Sequence, residues 1–440
     1  MMQLPMLSVV DPRVSAEGSI DPLGMYAIAD ALAVRLVPGV RERQMHPRFL
    51  TAIAVSLSLC SDFDEDVVAA DGVSEPWQVF EWYVVEGLVR TTSDRSLLRG
   101  LPGQDKAARA SREGVPLSQK RYLKTPNVFG FHGVYRALAR DVGIEVAGRL
   151  GQVGYELLTA WEKEQGLDGF CSSVDGPGKV VRRQLHEAIV DGLRHGAVAR
   201  KTGWAGWSFF SDHLGIYDVG QKESQLIARA LMHASSGFRG EILHGLIRPA
   251  GWRLWWKEVE QRTFSERRFH QWLAPRASPQ LQQLLGAIDA YERFCRLLQD
   301  AFDDCMFRLS QYQQRITAQE LEQLDGVQRA ARRIPDLFAE VSEKLSPFDQ
   351  TVRFEDTFAS LAERVSSRQW VERLLNHHCR IQLAKPPAGK APWFDRFDDG
   401  SFMIRTGYLT DQGGRHDEAY VHAYRTRALS SFARDLRLVS

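Results

Sequence analysis

Residues 279–345 leave the chain little choice but a pair of long helices. Leu281, Leu284, Leu285, Ile288, Tyr291, Phe294, Leu298, Phe302 and Met306 recur at intervals of three and four. That spacing lines one face of an α-helix and would scatter over both faces of a strand. Further along, Thr317 and Glu320 have the spacing of a capping box, which marks a helix start. The pattern predicts two long helices packed antiparallel, as bundle core or as a docking surface. Long apolar stripes can exceed what one intramolecular partner covers, so a leftover patch for a partner protein is expected here. Arg and Trp, the residues that dominate interface hot spots, are abundant between Trp252 and Trp272.

The same reasoning extends towards the start of the chain. Asp21 and Pro22 precede an apolar series, Met25, Ile28, Leu32 and Leu36, which Pro38-Gly39 ends. Residues 47–60 are apolar almost all round, which predicts a helix at the centre of a core. A third helix is expected over 76–90, a fourth from Val134 to Gly143 and a longer one over 146–164. Trp252, Trp255 and Trp256 fall at helical spacing, as core or as stacking platforms. Near the end, a hairpin is expected over 401–409, followed by a last helix. The fold class is therefore mainly α: a multi-domain helical protein with a winged-helix-like module and a small α+β C-terminal part. Four regions are expected: an N-terminal helical domain (1–98), a basic winged-helix-like region (99–215), a helical bundle or hairpin (216–345) and a C-terminal α+β domain (346–440).

Charge singles out one stretch. Lys and Arg total 56 and Asp and Glu 55, so a nucleic-acid contact needs a local patch. Residues 99–140 hold nine Lys or Arg against two Asp or Glu. Past a Gly/Ser-rich loop, residues 180–195 form an amphipathic helix stopped by Gly196, followed by a short basic segment and Trp204, Trp207, Phe209 and Phe210. Helix, basic helix, short strand and aromatic turn is the order of a winged-helix module, in which one helix enters the major groove and flanking cations hold the backbone. Lys120, Arg121, Lys124, Arg182, Arg183, Arg200 and Lys201 are the candidate phosphate contacts; Trp204 and Trp207 would pack or stack.

Catalytic motifs are missing. GPGK at 176–179 is not a phosphate loop, because Ser173 and Val180 stand where that pattern needs Gly and Ser or Thr. HExxH, GxSxG and the common nuclease layouts do not occur. The acidic segment 61–72 reads as a solvated loop, with a metal site as the sharper alternative. In the C-terminal part His377, His378, Lys385, Lys390, Asp395, Arg405, His416 and His422 could assemble a polar site. Adjacent helical residues diverge by about 100°, however, so His377 and His378 suit a surface pair better than one metal ion. No cofactor and no metal are expected. Five cysteines, an odd number without a CxxC pair, read as free thiols in a reducing cytoplasm. The opening lacks a basic n-region, and no apolar run is long enough to span a bilayer, so no membrane partner is expected.

Residues 19–60 resemble the openings of uncharacterised bacterial proteins of phage-defence islands, in which an Asp-Pro-Leu-Gly segment leads to a Leu-x-Pro-Gly turn and an Arg-containing helix. The matching residues are Asp21, Pro22, Leu23, Gly24, Pro38, Gly39 and Arg48. The resemblance covers about one tenth of the chain and carries no catalytic residues. It implies a bacterial accessory protein working beside a helicase, ATPase or nuclease. The expected function is thus a non-catalytic DNA-binding or adaptor component of a bacterial antiviral complex. The alternative is a metal-dependent nuclease or hydrolase using His377, His378 and His416 near Asp395.

Overall fold

A computed structural model describes residues 21–172, 174–233, 237–260, 266–312, 314–386 and 389–439. Helix makes up 63% and strand 3%, so the class is mainly α, with a small two-stranded sheet in the C-terminal part. The chain divides into two compact units. One joins Met1–Leu32 to Thr263–Ala423; the other joins Ala33–Arg262 to Tyr424–Ser440.

The first unit is built on the 34-residue helix Pro279–Tyr312. Asp325–Leu345 packs along it, and Thr351–Ala362 and Ser367–Leu383 pack on Asp325–Leu345. The capping box forms: Glu320 accepts the backbone N–H of Thr317 at 2.9 Å. The apolar stripe closes inside the unit, with Leu281, Ile288, Phe294, Leu298 and Phe302 at 0% exposure and Leu285 at 3%. Among the described residues this stripe is covered from within the unit, where Phe354 and Phe358 fill the face at Phe294 with ring centroids 5.0 and 5.3 Å away. A polar seam runs along the same helix at every fourth residue, Glu292, Arg296, Asp300 and Asp304. Glu292 accepts the N–H groups of Val421 and His422 at 2.5 and 3.2 Å. Arg296 donates to the carbonyls of Ala419 and Tyr420 at 3.1 and 3.2 Å, and Asp304 accepts from Gly414 N at 2.9 Å.

Asp21 caps Tyr26–Leu36 as its position predicts, accepting from the N–H groups of Gly24, Met25 and Tyr26 at 2.8–3.0 Å. Gly24 has φ +75°, and a Cβ there would meet Ile381 Cδ1 at 2.8 Å, so only glycine fits. The C-terminal hairpin differs from expectation. Its strands are Phe394–Arg396 and Phe402–Ile404, in register Phe394 to Ile404. The turn falls at Asp399-Gly400, where Gly400 takes φ +77°, which draws the hairpin N-terminal to the expected 401–409.

In the second unit Arg48–Cys60 lies at the centre, against Pro76–Thr91, Phe131–Asp141 and Gln152–Glu164. The helix expected from 146 begins only at Gln152, because Ala147 and Gly148 both take positive φ, 51° and 80°. Two such residues in succession make the turn that favours a hairpin, and Glu145–Val146 pairs with Arg149–Leu150. Pro177–His195 ends at Gly196 with φ 61°, as expected. The stretch after it makes a single bridge, Ala197 to Ser118, and no two-stranded wing follows among the described residues. Trp255 is core at 1% exposure, while Trp252 and Trp256 stack on each other at 5.6 Å.

Arg48, matched in the N-terminal resemblance, is 1% exposed and forms an ion pair with Glu223, itself fully buried. Its second amino group donates to the His213 carbonyl at 2.6 Å, and Thr51 also donates to Glu223. Removing one partner of such a pair strands the other charge in the interior. Glu223→Ala is therefore expected to destabilise the second unit by about 3–5 kcal/mol, read as a lower urea midpoint for that unit's unfolding transition. A midpoint within error of wild type would contradict this account of the pair.

Candidate functional site

The phosphate-contact candidates fall into two groups, all in the second unit. Val198 N–H donates to the Leu117 carbonyl at 2.9 Å and Ala197 bridges Ser118. The bridge is antiparallel, so the two stretches meet at Ser118 and Ala197 and then run opposite ways, Lys120, Arg121 and Lys124 leading off in one direction and Arg200 and Lys201 in the other. Lys120, Arg121, Lys124 and Lys201 are exposed. Arg121 reaches Glu113 at 3.4 Å, a carboxylate it shares with Arg109. Arg200 is half-buried, paired with Asp191 at 2.9 Å and lying over Trp204 at 5.5 Å.

Trp204 and Trp207 pack. Their centroids are 5.2 Å apart, edge to face, and Tyr83 stands 6.0 and 5.9 Å from them. Trp207 is 4% exposed and its indole N–H donates to the Lys201 carbonyl at 2.9 Å, so it offers no face to a base. Arg182 and Arg183 form the second group, near the N-terminal end of Pro177–His195. At 1.5 Å rise per residue that end lies about 20 Å from the Arg200 end. Arg182 is engaged within the protein, donating to Ser58 Oγ and O at 2.7 Å and pairing with Asp62 at 3.0 Å. Arg183 is exposed.

The C-terminal candidates do not converge. His377 and His378 are 2% and 0% exposed, not a surface pair. His377 Nε2 meets the Leu23 carbonyl at 2.8 Å and its Nδ1 meets Arg380 at 3.1 Å. His378 Nδ1 meets the Pro22 carbonyl at 2.9 Å, and its Nε2 accepts the Trp393 N–H at 3.1 Å. Every ring nitrogen of the pair is occupied in holding the Pro22–Leu23 segment, the hairpin entry or Arg380. Lys385 joins them, donating to the Asp21 carbonyl at 2.7 Å. His416 instead contacts Asp304 at 3.1 Å, and Asp395 pairs with Arg405 at 2.8 Å.

Two clusters escaped the sequence reading. Glu292, Cys295 and His422 place possible ligand atoms within 4.8 Å of one another. Glu292 and Cys295 are one helical turn apart, but His422 arrives from far along the chain. A carboxylate, a thiolate and an imidazole suit a borderline-soft divalent cation. Glu292 is already bonded to His422 Nδ1 at 2.7 Å and to two backbone N–H groups, and burial pushes the Cys295 thiol well up, away from the thiolate. The group reads first as a clamp on the loop. The other cluster is Glu81 with His132. Glu81 is fully buried and accepts from Tyr122 Oη at 2.7 Å and from His132 N at 3.0 Å, with His132 Nδ1 at 3.1 Å. The available signal was a carboxylate amid the apolar run Val79, Phe80, Trp82, Tyr83 and Val84. Its partner, 51 residues away, had none.

Compared with known protein families, curated proteins and solved structures, the chain matches none.

Burial gives the buried histidines a pH signature. It pushes His377 and His378 down to about 4 and His270 to about 3, against 6.5 when free. From about 6.5 down to about 4 the unfolded chain takes up protons that the folded one does not. The first unit therefore loses stability as pH falls through that window. Asp303, raised to about 6 by burial, acts in the opposite sense between about 4 and 6. His377→Gln/His378→Gln is expected to flatten the dependence of the urea midpoint on pH; an unchanged slope would mean that these imidazoles are not held neutral.

Proposed function

We propose that the protein is a non-catalytic DNA-binding or adaptor component of a bacterial antiviral complex, contacting the phosphate backbone through Lys120, Arg121, Lys124, Arg200 and Lys201. The observation that supports the DNA contact is the exposure of Lys120, Arg121, Lys124 and Lys201, on two stretches of sequence that meet at the antiparallel Ser118 to Ala197 bridge. Exposed Lys and Arg contact phosphates without regard to sequence and release counterions as they do so. Arg183 adds to this surface only on a ligand long enough to span both groups, and Arg182 is held by Asp62 and Ser58. The antiviral setting, and partners such as a helicase, ATPase or nuclease, rest on the resemblance of residues 19–60. Among the described residues no helix is long and apolar enough to cross a membrane. The nuclease alternative is less supported, since His377 and His378 spend their ring nitrogens within the protein and only His416 and Asp395 of its residues are left to it.

Fluorescence anisotropy with a labelled DNA duplex at several salt concentrations tests the proposal. Affinity is expected to fall steeply with salt, and Lys120→Ala/Arg121→Ala to reduce the slope of log K against log [salt] by about 2, one per lost phosphate contact. Arg182→Ala/Arg183→Ala is expected to have the smaller effect on binding. Absence of binding at low salt, or an unchanged slope in Lys120→Ala/Arg121→Ala, overturns it.

A further inference from the structure

His132 presents an acceptor that the protein leaves unanswered. A carboxylate only accepts, so the approach of Glu81 to Nδ1 at 3.1 Å places a ring hydrogen there, and in the neutral ring Nε2 keeps its lone pair. The residue is 5% exposed and Nε2 has no hydrogen-bond partner. Buried polar atoms are nearly always bonded, which makes an orphan on a cavity wall a pointer to something that enters the cavity. The ring lines a cleft of about 640 Å3 bounded by the end of Arg48–Cys60, the start of Pro76–Thr91 and the 145–150 hairpin. That volume is in the range of small-molecule sites.

The remaining lining states what would fit. Two guanidinium groups line it, Arg136 held by Glu145 at 3.0 Å and the exposed Arg149 within 3.6 Å of Glu65, while the Trp77 indole N–H is held by Glu75 at 2.8 Å. Four carboxylates, of Asp64, Glu65, Glu75 and Glu145, outnumber the two guanidiniums and stand with a π face and the His132 acceptor. Asp64 and Glu75 are exposed carboxylates at its rim, and the Trp77 ring lies 5.0 Å from the His132 ring. Cys60 also lines the cleft, but burial pushes its thiol up to about 12, so it stays uncharged and is no ready nucleophile. The complement of such a wall is a cation that carries only donors.

We propose that this cleft binds a small organic ammonium ion of the alkyl- or polyamine class, which donates an N–H to His132 Nε2 and sets its charge against the Trp77 face and the rim carboxylates.

Calorimetric titration of the full chain, free of nucleic acid and at physiological ionic strength, tests this with spermidine and with tetramethylammonium, a cation without N–H donors. Spermidine is expected to give one saturable site, and tetramethylammonium to bind at least about tenfold more weakly, the loss of one hydrogen bond to a charged group. His132→Ala should weaken spermidine by a similar factor, and Trp77→Leu, at a half-exposed position, several-fold. Should circular dichroism show His132→Ala unfolded, the comparison of the two cations on wild type and the Trp77→Leu titration decide the matter. No saturable heat with spermidine, equal affinity for the two cations, or unchanged affinity in Trp77→Leu overturns the proposal. None of these outcomes bears on DNA binding at Lys120 and Arg121.

Discussion

A buried charge must find a partner or leave, and the first unit is organised by how the Pro279–Tyr312 helix meets that demand. Glu292, Arg296 and Asp300 are 1–8% exposed, on a helix that also carries the apolar stripe of the unit's core. They are tolerated because the loop at 413–423 brings its own unpaired backbone groups to them. The carboxylates take N–H groups, the guanidinium takes carbonyls, and a segment without regular structure is satisfied without a sheet. A spacing of four residues on the helix thereby sets the path of a loop more than a hundred residues later. His377 and His378 do the same for the Pro22–Leu23 carbonyls from another helix.

What could be read in advance follows from the range of each signal. Pro279–Tyr312, Arg48–Cys60 and Pro76–Thr91 carry their period over three turns or more, and they stand where the spacing placed them. Asp21, Gly196 and the Thr317–Glu320 pair act within five residues of themselves and were equally legible. Strands of two or three residues have no period to detect, so the 145–150 pair was read as helix and the C-terminal hairpin was displaced. Charge was legible, but its partners were not. Arg182 and Arg200 look like free cations in the sequence, yet each meets a carboxylate on the folded chain. His377 and His378 look exposed because they are polar, and they are buried because two carbonyls need them.

The same distinction separates the two candidate sites of the second unit. On the basic surface the side chains came from sequence and the structure supplied only adjacency. At Glu81 and His132 the structure supplied nearly everything: a carboxylate inside an aromatic helix, a ring it orients, and a lone pair facing a cavity. Sites of the first kind are distributed and tolerate the loss of one member. Sites of the second kind depend on single atoms, and a sequence read one residue at a time does not contain them.

The division of the chain also bears on synthesis. Each unit takes its first described residues from one end of the sequence and closes with residues beyond the other unit's main segment: 21–32 join 263–423, and 33–262 join 424–440. As the polypeptide leaves the ribosome, the second unit cannot complete itself until Leu429 and Phe432, both fully buried, have emerged. The Asp21–Gly24 segment likewise waits for the helix that carries His377 and His378. Folding of each unit is thus deferred until its late segment has emerged, with contacts of very long sequence separation closing last. Through that interval Arg239–Ile247, the helix on which Thr426–Asp435 packs, stays incompletely covered, and a holding chaperone would find its target there.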